Sequence, residues 1–470
     1  MSRLVVISNR VSAPTGEGGA GAQGGLAVAL GAALREYRGL WFGWSGHRTD
    51  EFTGHIELQR AHGVTTATID LEDQDVDEYY NGYANRTLWP LFHYRIDLAE
   101  YDRSFDSGYQ RVNERFAETV TPLIDQDDLV WVHDYHLIPL GAELRARGLK
   151  NRIGFFLHIP WPPGRLLVSL PDHQKLVRSL LAYDLIGFQT REWLEAFRDY
   201  VVRELGGNLD ADGTLHVGDR TVHVAAYPIG IDYDDFMEAS RSPLAHQACN
   251  RLRESAADRK VIIGVDRLDY SKGLQERFTG YQRFLENNPD RHGELFMLQI
   301  APPTREEVST YEEIRDNLDG LSGRINGAFA EIDWVPVRYV NQGYDRASLA
   351  GFYRAAQIAL ITPLRDGMNL VAKEYVAAQD PDDPGVLILS RFAGAALQLK
   401  DALLVNPYSA DEVSDAIKTA LEMPREERIR RWRSMMESVR DEDVVKWRHD
   451  FVAALEGARI REPEPPPEGK

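Results

Sequence analysis

The residues from Thr362 to Glu374 have the types and spacing of a phosphate-binding turn. They read Thr-Pro-Leu-Arg-Asp-Gly-Met-Asn-Leu-Val-Ala-Lys-Glu and follow an apolar, strand-like stretch, Ile358–Ile361. Proline and glycine interrupt the chain before a helical pattern begins. The first-turn N–H groups of a helix have no partners within the helix and carry the positive end of its dipole, so they suit a diphosphate. We assign these groups to about Gly367 through Leu370 and expect a sugar-nucleotide site, in which Glu374 accepts hydrogen bonds from a ribose.

Two cations, Arg267 and Lys272, lie five residues apart in a second loop of the same kind. The loop follows the apolar strand-like stretch that ends at Val265 and precedes a helical pattern. Arginine offers a planar fork for phosphate oxygens, and lysine offers a point charge. Together these two side chains could neutralise a leaving diphosphate.

Both segments also have an interpretation without a ligand. In the first, Asp366 would serve only as the N-cap of the helix. In the second, Arg267 would lie on a solvated face and pair with Asp266 or Asp269, an arrangement that contributes little to stability.

A glycine-rich segment near the N-terminus contains a formal G-x-G-x-x-G, Gly19-Ala-Gly-Ala-Gln-Gly24. It is a weak dinucleotide fingerprint because it lies some ten residues beyond the first strand, with no convincing ribose-binding acid after it. We interpret it as a lid that ends in Gly24 and Gly25, where the backbone could approach a ligand closely. A plain surface loop is the alternative.

The stretch His133-Asp134-Tyr-His136 and the later His158 each follow an apolar strand. A metal site is one interpretation, but the spacing lacks the carboxylate–histidine pattern of metalloenzymes. We favour Asp134 as a hydrogen-bond acceptor for a sugar hydroxyl. A core histidine bonded to the backbone remains the alternative for His133.

Four further residues are placed to reach a ligand. Arg10 ends the first strand, and Arg305 follows a strand in Ala-Pro-Pro-Thr-Arg. Tyr80 and Trp89 are polar-tipped aromatic residues of the kind that line sugar sites. Each alone is more often structural.

Apolar strand-like runs alternate with amphipathic stretches along the chain, which predicts parallel α/β sheets. The pattern restarts near residue 260, so we expect two Rossmann-like domains joined near residues 228–240 with a binding site between them. A chain of 470 residues is long enough for two domains. The charged, proline-rich end, 461–470, has the composition of a disordered tail.

The composition excludes several classes of function. Net charge is −19, which argues against nucleic acid or anionic membrane as the main partner. No apolar run reaches the ~20 residues of a membrane span, and the start of the chain has too short an apolar core for a signal peptide. With Cys249 as the single cysteine, no intrachain disulfide is possible. We therefore expect a cytoplasmic protein.

Taken together, these segments resemble the trehalose-6-phosphate synthase family of retaining glycosyltransferases, from Leu4 to about Trp447. The segments that carry the resemblance are Ser8-Asn-Arg10, Gly24-Gly-Leu, Leu40-Trp-Phe-Gly-Trp-Ser45, Glu78-Tyr-Tyr-Asn, Leu88-Trp-Pro, Val132-His-Asp-Tyr-His136, Phe156-Leu-His-Ile-Pro-Trp161, Val265-Asp-Arg-Leu-Asp-Tyr-Ser-Lys-Gly273 and Arg365-Asp-Gly-Met-Asn-Leu-Val-Ala-Lys-Glu374.

The resemblance implies a GT-B fold, with two Rossmann-like, doubly wound parallel-sheet domains facing across a cleft. The limits we predict are 1–235 for the acceptor-side domain, 236–440 for the donor-side domain, 441–458 for a helix that crosses back to the first domain, and 459–470 for the tail. The crossing helix would cover 442–455.

The resemblance also implies site residues. The donor, a nucleoside diphosphate glucose and usually UDP-glucose, would use Gly24, Gly25, Arg267, Lys272, Tyr344, Asp366, Leu370, Val371, Ala372, Lys373 and Glu374. The acceptor, glucose 6-phosphate, would use Arg10, Tyr80, Trp89, Asp134 and Arg305. The catalytic set would be Arg267, Lys272, Asp134, His158 and Asp366, with Asp366 and His158 on the glucose hydroxyls and Tyr344 beside the base.

In this family the acceptor hydroxyl attacks the face from which the diphosphate leaves, so the resemblance implies no protein nucleophile, no cofactor and no metal. We expect a homo-oligomer, a dimer or tetramer, with a functional link to a trehalose-phosphate phosphatase. The donor base, whether UDP, GDP or ADP, stays open.

Three other functions compete with this one. A related synthase would use glycerol 3-phosphate as the acceptor and make glucosylglycerol phosphate. A catalytically silent homologue would bind sugar phosphates and regulate a partner, but it should have lost site residues, and all seven that we compared are present: Arg10, Asp134, Arg267, Lys272, Arg305, Asp366 and Glu374. A Rossmann oxidoreductase is disfavoured by the poor dinucleotide fingerprint.

Overall fold

The structure, a computed structural model, describes residues 3–11, 30, 34, 36–61, 63–211, 213–305 and 308–458. The chain divides into two compact units. The N-terminal unit contains residues 3–11, the described part of Leu30–Tyr227, and 448–458, and the C-terminal unit contains Pro228–Trp447. The glycine-rich segment with Gly24 and Gly25 and the tail 459–470 lie outside the described residues.

The N-terminal unit is built on a sheet of ten strands. The strands are β1 Leu4–Arg10, β2 Leu40–Thr49, β3 Glu57–Ala61, β4 Val64–Glu72, β5 Leu129–His133, β6 Ile153–Leu157, β7 Leu185–Phe188, β8 Asn208–Leu209, β9 Thr214–Val217 and β10 Arg220–Ala226. They lie in the order β3-β4-β2-β1-β5-β6-β7-β10-β9-β8. The seven strands β4, β2, β1, β5, β6, β7 and β10 are parallel to their neighbours within this set. Antiparallel strands, β3 on one side and β9 and β8 on the other, form the edges. The strand order reverses at β1, which pairs with β2 on one side and β5 on the other.

Helices connect these strands. They are α1 Asp73–Asp75, a π-helix Val76–Leu88, α2 Trp89–Phe92, α3 Arg103–Val120, α4 Leu140–Ala146, α5 Gly164–Leu167, α6 His173–Leu180 and α7 Arg191–Leu205. The sequence pattern predicts α7 well: Thr190 caps it by accepting from the Trp193 N–H, and Gly206 ends it in a left-handed conformation at φ +67°. The π-helix is not predicted by the sequence.

The C-terminal unit has a six-stranded parallel sheet. Its strands are β11 Lys260–Val265, β12 Leu295–Ile300, β13 Val337–Val340, β14 Ile358–Ile361, β15 Val386–Ser390 and β16 Leu403–Val405. The order is β13-β12-β11-β14-β15-β16, so the reversal falls between β11 and β14. Its helices are α8 Tyr233–Ser240, α9 Pro243–Ala256, α10 Leu274–Asn287, α11 Ser309–Phe329, α12 Arg346–Ala355, α13 Leu370–Ala378, α14 Ala410–Glu422 and α15 Arg425–Asp441. The four inner strands, β12, β11, β14 and β15, are buried apart from Lys260, as sheets covered on both faces require.

The last helix, α16, spans Val444–Gly457. Its residues from Arg448 on belong to the N-terminal unit. There Phe451 stacks on Trp131 of β5 with ring centroids 4.5 Å apart. It also lies against Gly154 and Gly187, where a Cβ would come within 2.8 Å of the Phe451 ring. Glycine in these two strands therefore makes room for the helix. Within the described residues, no helix combines the length and apolarity needed to cross a membrane.

Candidate functional site

In doubly wound sheets, ligands bind at the carboxyl ends of the strands where the strand order reverses. In the N-terminal unit this place lies after β1 and β5, where Arg10 and Asp134 are found. In the C-terminal unit it lies after β11 and β14, where Arg267 and Asp366 are found. The sheet topology therefore brings the two sets of sequence-predicted residues to the expected edge of each sheet.

Backbone hydrogen bonds fix the loop that carries Arg267. The Asp266 N–H donates to Ile300 O at 3.1 Å, and the Leu268 N–H donates to Pro302 O at 3.0 Å. Leu268 is buried, whereas the Arg267 side chain between these two bonds is exposed. The Asp266 carboxylate pairs with Arg277 at 2.7 Å, and the Asp269 carboxylate pairs with Arg305 at 2.9 Å.

Lys272 ends a short 3₁₀-helix, Tyr270–Lys272, that Asp269 caps through the Ser271 N–H at 2.9 Å. The Lys272 ammonium lies 2.6 Å from the Asp366 carboxylate, and both side chains are 13% exposed. This pair joins residues 94 positions apart in the chain. It places a cation and a hydrogen-bond acceptor side by side at the edge of the sheet.

Asp366 is not the N-cap of the following helix, so that interpretation of the turn is wrong. Helix α13 begins at Leu370, and its N-cap is Asn369, whose side chain accepts from the Ala372 N–H at 3.1 Å. Asn369 has φ +81°, a conformation that asparagine tolerates better than most residues. Asp366 instead pairs by backbone with 392–394 after β15, which leaves its carboxylate for Lys272.

The free N–H groups of this turn also lie later than predicted. Because α13 begins at Leu370, its first-turn N–H groups start there rather than at Gly367, and they include Val371. The Lys373 side chain is turned inward and 1% exposed, and its Nζ donates to Ile229 O at 2.7 Å. Burial lowers the pKa of Lys373 to about 7. Its side chain therefore has a structural partner.

Glu374 lies one turn into α13 and is partly buried. Burial raises the pKa of Glu374 to about 7, although the Arg346 charge and the Tyr353 hydroxyl act in the opposite direction. Tyr344 lies just before α12, where its ring packs edge-on against Phe352 at 5.0 Å and its hydroxyl accepts from the Gln342 amide at 2.7 Å.

Arg305, predicted on the acceptor, belongs to the C-terminal unit and is held among the groups beside Arg267. Its guanidinium lies 2.9 Å from the Asp269 carboxylate and 2.5 Å from the Tyr311 hydroxyl, with 5% of the side chain exposed. Burial raises the pKa of Tyr311, and the charges of Arg305 and Arg267 both lower it. The charges of both arginines therefore reach Tyr311.

In the N-terminal unit, Arg10 lies over the Trp44 ring, 5.6 Å from its centroid. A Cβ at Gly46 would lie 2.4 Å from the Arg10 guanidinium, so the glycine makes room for this side chain. Tyr80 packs edge-on against Trp44 at 5.6 Å and stacks on His136 at 5.9 Å. Arg10 and Tyr80 therefore share Trp44 as a common support.

The π-helix that carries Tyr80 is anchored at its start by a buried carboxylate. Asp75 is fully buried and lies 2.8 Å from the guanidinium of Arg111, and it also pairs with Arg115. Next to Tyr80, the Tyr79 hydroxyl donates to the Asn9 amide oxygen at 2.7 Å. π-Helical turns are rare and often occur at functional sites. No feature of the sequence indicates this one.

Asp134 and the two histidines converge after β5 and β6. Asp134 has φ +74°, and its carboxylate accepts a hydrogen bond from the backbone N–H of His158 at 3.2 Å. His133 Nδ1 lies 3.1 Å from His158 Nε2, and His158 Nδ1 lies 3.3 Å from the Gln189 amide nitrogen. Burial lowers the pKa of both histidines, that of His158 to about 3. Both imidazoles are therefore neutral at physiological pH.

Trp89 and His136 both lie in aromatic contact with Tyr135. The Trp89 ring is 4% exposed and packs against His93 at 4.2 Å and Tyr135 at 5.6 Å. His136 stacks between Tyr135 and Tyr80. In the part of the chain that the structure describes, no group of three or more histidine, cysteine or acidic residues could hold a metal ion.

Sequence reasoning missed two residues of the C-terminal unit. Asn369 directly precedes the apolar helical run and is a preferred N-cap type, so its role was detectable. Arg277 is fully buried, although it is charged. It shares the apolar face of α10 with Leu274, Phe278 and Tyr281, and a charge on such a face was the available signal.

Two doubly wound sheets, each with polar and cationic side chains at its reversal point, define the class of GT-B glycosyltransferases. The chain belongs to glycosyltransferase family 20, whose family model matches residues 6–457. It is 50% identical to the trehalose-6-phosphate synthase of Sinorhizobium fredii over 98% of this chain and 100% of the relative. The identity to the Klebsiella pneumoniae trehalose-6-phosphate synthase is 46%, over 100% of this chain and 98% of the relative.

Solved structures agree with this placement. A UDP-forming α,α-trehalose-phosphate synthase from Burkholderia xenovorans in complex with glucose-6-phosphate matches with a TM-score of 0.93 and 49% identity, over 97% of this chain and 100% of that one. The Escherichia coli protein bound with UDP-2-fluoro glucose matches with a TM-score of 0.93 and 43% identity, over 98% and 100%. The predicted family and the predicted GT-B fold are confirmed.

Proposed function

We propose that this protein is a retaining glycosyltransferase that transfers glucose from UDP-glucose to glucose 6-phosphate, forming α,α-trehalose 6-phosphate and UDP. The observation that carries the proposal is a full-length match, at 43–50% identity, to trehalose-6-phosphate synthases that include a complex with glucose-6-phosphate and one with a UDP-glucose analogue. In support of the proposal, Arg10 and Asp134 lie at the reversal point of one sheet, and Arg267 and Asp366 lie at that of the other.

The donor residues belong to the C-terminal unit. Arg267 and Lys272 bind the diphosphate, which also accepts hydrogen bonds from the free N–H groups at Leu370 and Val371. Ala372 and Lys373 contribute backbone to the same turn. Glu374 accepts from the ribose, Tyr344 packs beside the base, and Asp366 binds a glucose hydroxyl while it holds the Lys272 ammonium.

The acceptor residues belong mostly to the N-terminal unit. Arg10 and Tyr80, which share the Trp44 support, bind the phosphate end of glucose 6-phosphate, and Arg305 contributes a third polar group. Asp134 accepts from a sugar hydroxyl. His158 places its neutral ring at the donor glucose. Trp89 packs against Tyr135 and supports the acceptor side of the site.

The reaction requires no protein nucleophile. The acceptor hydroxyl forms a bond to the anomeric carbon on the face from which the diphosphate leaves, and the departing phosphate takes the hydroxyl proton. Arg267 and Lys272 stabilise the charge that builds on the diphosphate, since fixed cations act most strongly where charge develops. Arg10 and Asp134 orient the acceptor, which lowers the entropic cost of the encounter.

The decisive experiment measures nucleotide release from UDP-, GDP- and ADP-glucose, each with glucose 6-phosphate, glycerol 3-phosphate or no acceptor. We expect release from UDP-glucose with glucose 6-phosphate, together with a non-reducing disaccharide phosphate. Release only with glycerol 3-phosphate would move the protein to the glucosylglycerol-phosphate activity. Tight binding without release from any pair would instead support a regulatory role.

The raised pKa of Glu374 predicts a pH-dependent donor affinity. Only the carboxylate accepts freely from two ribose hydroxyls, and the group loses its proton as pH rises through about 7. We therefore expect the KM for UDP-glucose to fall roughly tenfold between pH 6 and pH 8, which follows the change in the ionised fraction. Arg346 and Tyr353 face this carboxylate, and burial holds the pKa of Tyr353 well above its usual value.

The matched control is Glu374→Gln, which keeps the shape but cannot titrate. Its KM for UDP-glucose should be high and independent of pH across the same range. A wild-type KM that stays flat from pH 6 to pH 8 would contradict the role of Glu374 at the ribose.

We also propose that the protein acts as a homo-oligomer, a dimer or tetramer, in the cytoplasm. The single cysteine suits a reducing compartment. Because the product carries a phosphate ester, a trehalose-phosphate phosphatase is the class of enzyme that would consume it. Sedimentation velocity of the purified protein measures the oligomeric state directly.

A further inference from the structure

Arg277 lies in the first two turns of α10 and is fully buried. Its guanidinium contacts groups at the ends of three neighbouring strands. Nη2 lies 2.7 Å from the Asp266 carboxylate after β11. Nη1 donates to the Gln299 side-chain oxygen on β12 at 2.8 Å, and Nε donates to the Thr362 hydroxyl after β14 at 3.0 Å. One side chain therefore joins the strands on both sides of the point where the strand order reverses.

The surroundings are shaped for this side chain. Gly264 on β11 faces it, and a Cβ there would lie 2.4 Å from the Gln299 oxygen and 2.6 Å from Arg277 Nη1. The Gln299 amide nitrogen donates onward to Ile300 O at 3.0 Å, so this amide has a partner at each end. Nε and Nη1 of Arg277 therefore each donate a hydrogen bond, whereas Nη2 forms an ion pair with Asp266.

Two of these three partners lead directly to proposed donor residues. Asp266 precedes Arg267 in the chain. The Thr362 hydroxyl donates to Gly273 O at 3.2 Å, and Gly273 follows Lys272. Thr362 also begins the loop that reaches Asp366.

Stability alone does not explain this arrangement. Burial raises the pKa of Asp266 even though Arg277 and Lys272 lower it, so removal from water costs the carboxylate more than its partners return. A buried ion pair of this kind often contributes no more stability than well-packed apolar side chains of the same volume. What arginine adds is a planar fork that donates hydrogen bonds to Gln299 and Thr362 while it pairs with Asp266, which lysine cannot do.

We infer that Arg277 is a positioning residue that sets the placement of the loops carrying Arg267, Lys272 and Asp366. It does not touch substrate, because it is fully buried. The inference rests on the proposed function for the identity of the donor. It adds a residue beneath the site that aligns the cations that bind this donor.

The test replaces Arg277 with lysine, which keeps the charge beside Asp266 and removes the fork. We expect kcat to fall about tenfold and the UDP dissociation constant to rise about tenfold. A misplacement of 1 Å costs about a hundredfold in rate, so a smaller shift of the loops gives the lesser effect. Calorimetric titration with UDP and the nucleotide-release assay measure the two quantities.

Arg145 in the N-terminal unit offers a matched control, because its guanidinium also donates hydrogen bonds to several groups. Its guanidinium donates to Ala182 O, Leu149 O, Asn151 O and the Asp184 carboxylate. Asp184 also accepts from Ile153, the first residue of β6, so this network lies at the amino ends of β6 and β7. Arg145→Lys should lower the melting temperature as Arg277→Lys does, with kcat and UDP affinity unchanged.

A second pair of variants tests the inference even if Arg277→Lys does not fold. Thr362→Val keeps the shape of the side chain but removes the hydroxyl that joins Arg277 to Gly273, whereas Thr362→Ser keeps the hydroxyl. We expect the valine variant to lower kcat and the serine variant to restore most of it. A merely structural role would move the melting temperatures of both without this difference in kcat.

The outcomes separate the inference from the proposed function. Folded Arg277→Lys with wild-type kcat and UDP affinity would overturn the inference, as would an equal kinetic loss in Arg145→Lys. Wild-type protein that binds UDP but transfers no glucose would contradict the proposed function alone, and the UDP titrations would still decide the inference. Wild-type protein that does not bind UDP would overturn both.

Discussion

Arg267→Ala is expected to lower kcat about a thousandfold while the protein stays folded. The Arg267 side chain is exposed between two backbone hydrogen bonds that do not depend on it, so its removal leaves no buried cavity. In the proposed reaction it meets the leaving diphosphate, where negative charge grows most. Removal of one fixed group that stabilises developing charge costs about a hundredfold to a thousandfold in rate. The nucleotide-release assay and a thermal unfolding curve measure the two parts of this prediction.

The control for this variant is Arg283→Ala in the same unit. Arg283 lies on α10, its side chain is 45% exposed, and it pairs with Glu286 and Asp411 on the surface. Surface pairs of this kind contribute little, so kcat should stay at the wild-type value. A near-normal rate in Arg267→Ala would remove its role at the leaving group, whereas loss of the folded state would mean that the variant tests structure instead.

Arg10→Ala should separate the acceptor from the donor. A hydrogen bond to a charged group contributes about 1.5–3 kcal/mol, so kcat/KM for glucose 6-phosphate should fall about tenfold to a hundredfold. The KM for UDP-glucose should not change, because the donor residues belong to the other unit. The slow hydrolysis of UDP-glucose without acceptor should also stay the same. Initial rates over a grid of both substrate concentrations give these constants.

Arg203→Ala is the corresponding control in the N-terminal unit. Arg203 lies in the last turn of α7, where it is 69% exposed and pairs with Asp199 one turn earlier. Its replacement should leave every kinetic constant unchanged. If Arg10→Ala raised the KM for UDP-glucose as strongly as that for glucose 6-phosphate, the assignment of Arg10 to the acceptor phosphate would be wrong.

The positions of the strands and of the best helices could be predicted from the sequence. Buried parallel strands are apolar on both faces, so stretches such as Lys260–Val265 and Ile358–Ile361 stand out from the polar segments around them. Helix α7 was predictable at both ends because Thr190 and Gly206 act locally. The π-helix Val76–Leu88 was not predictable, since the contacts of Asp75 at its start are with arginines of α3, more than 30 residues away in the chain.

The turn before α13 shows how a local rule can select the wrong residue. Asp366 and Asn369 are both good N-cap types and lie three residues apart in the same loop. The backbone of Asp366 is held by 392–394, and its carboxylate is held by Lys272. These contacts come from distant parts of the chain, so they decided the choice that the local sequence left open.

By itself, the sequence determined the alternation of strands and helices, the motifs of glycosyltransferase family 20, and the residue types available at each loop. These properties depend on neighbours in the chain or on patterns repeated along it. The tertiary structure decided which of those residues meet. It paired Lys272 with Asp366 across 94 positions, turned the Lys373 side chain toward Ile229, and buried Arg277 beneath the loops. Burial and charge act through space rather than along the chain, and for that reason the sequence could name these residues but not their partners.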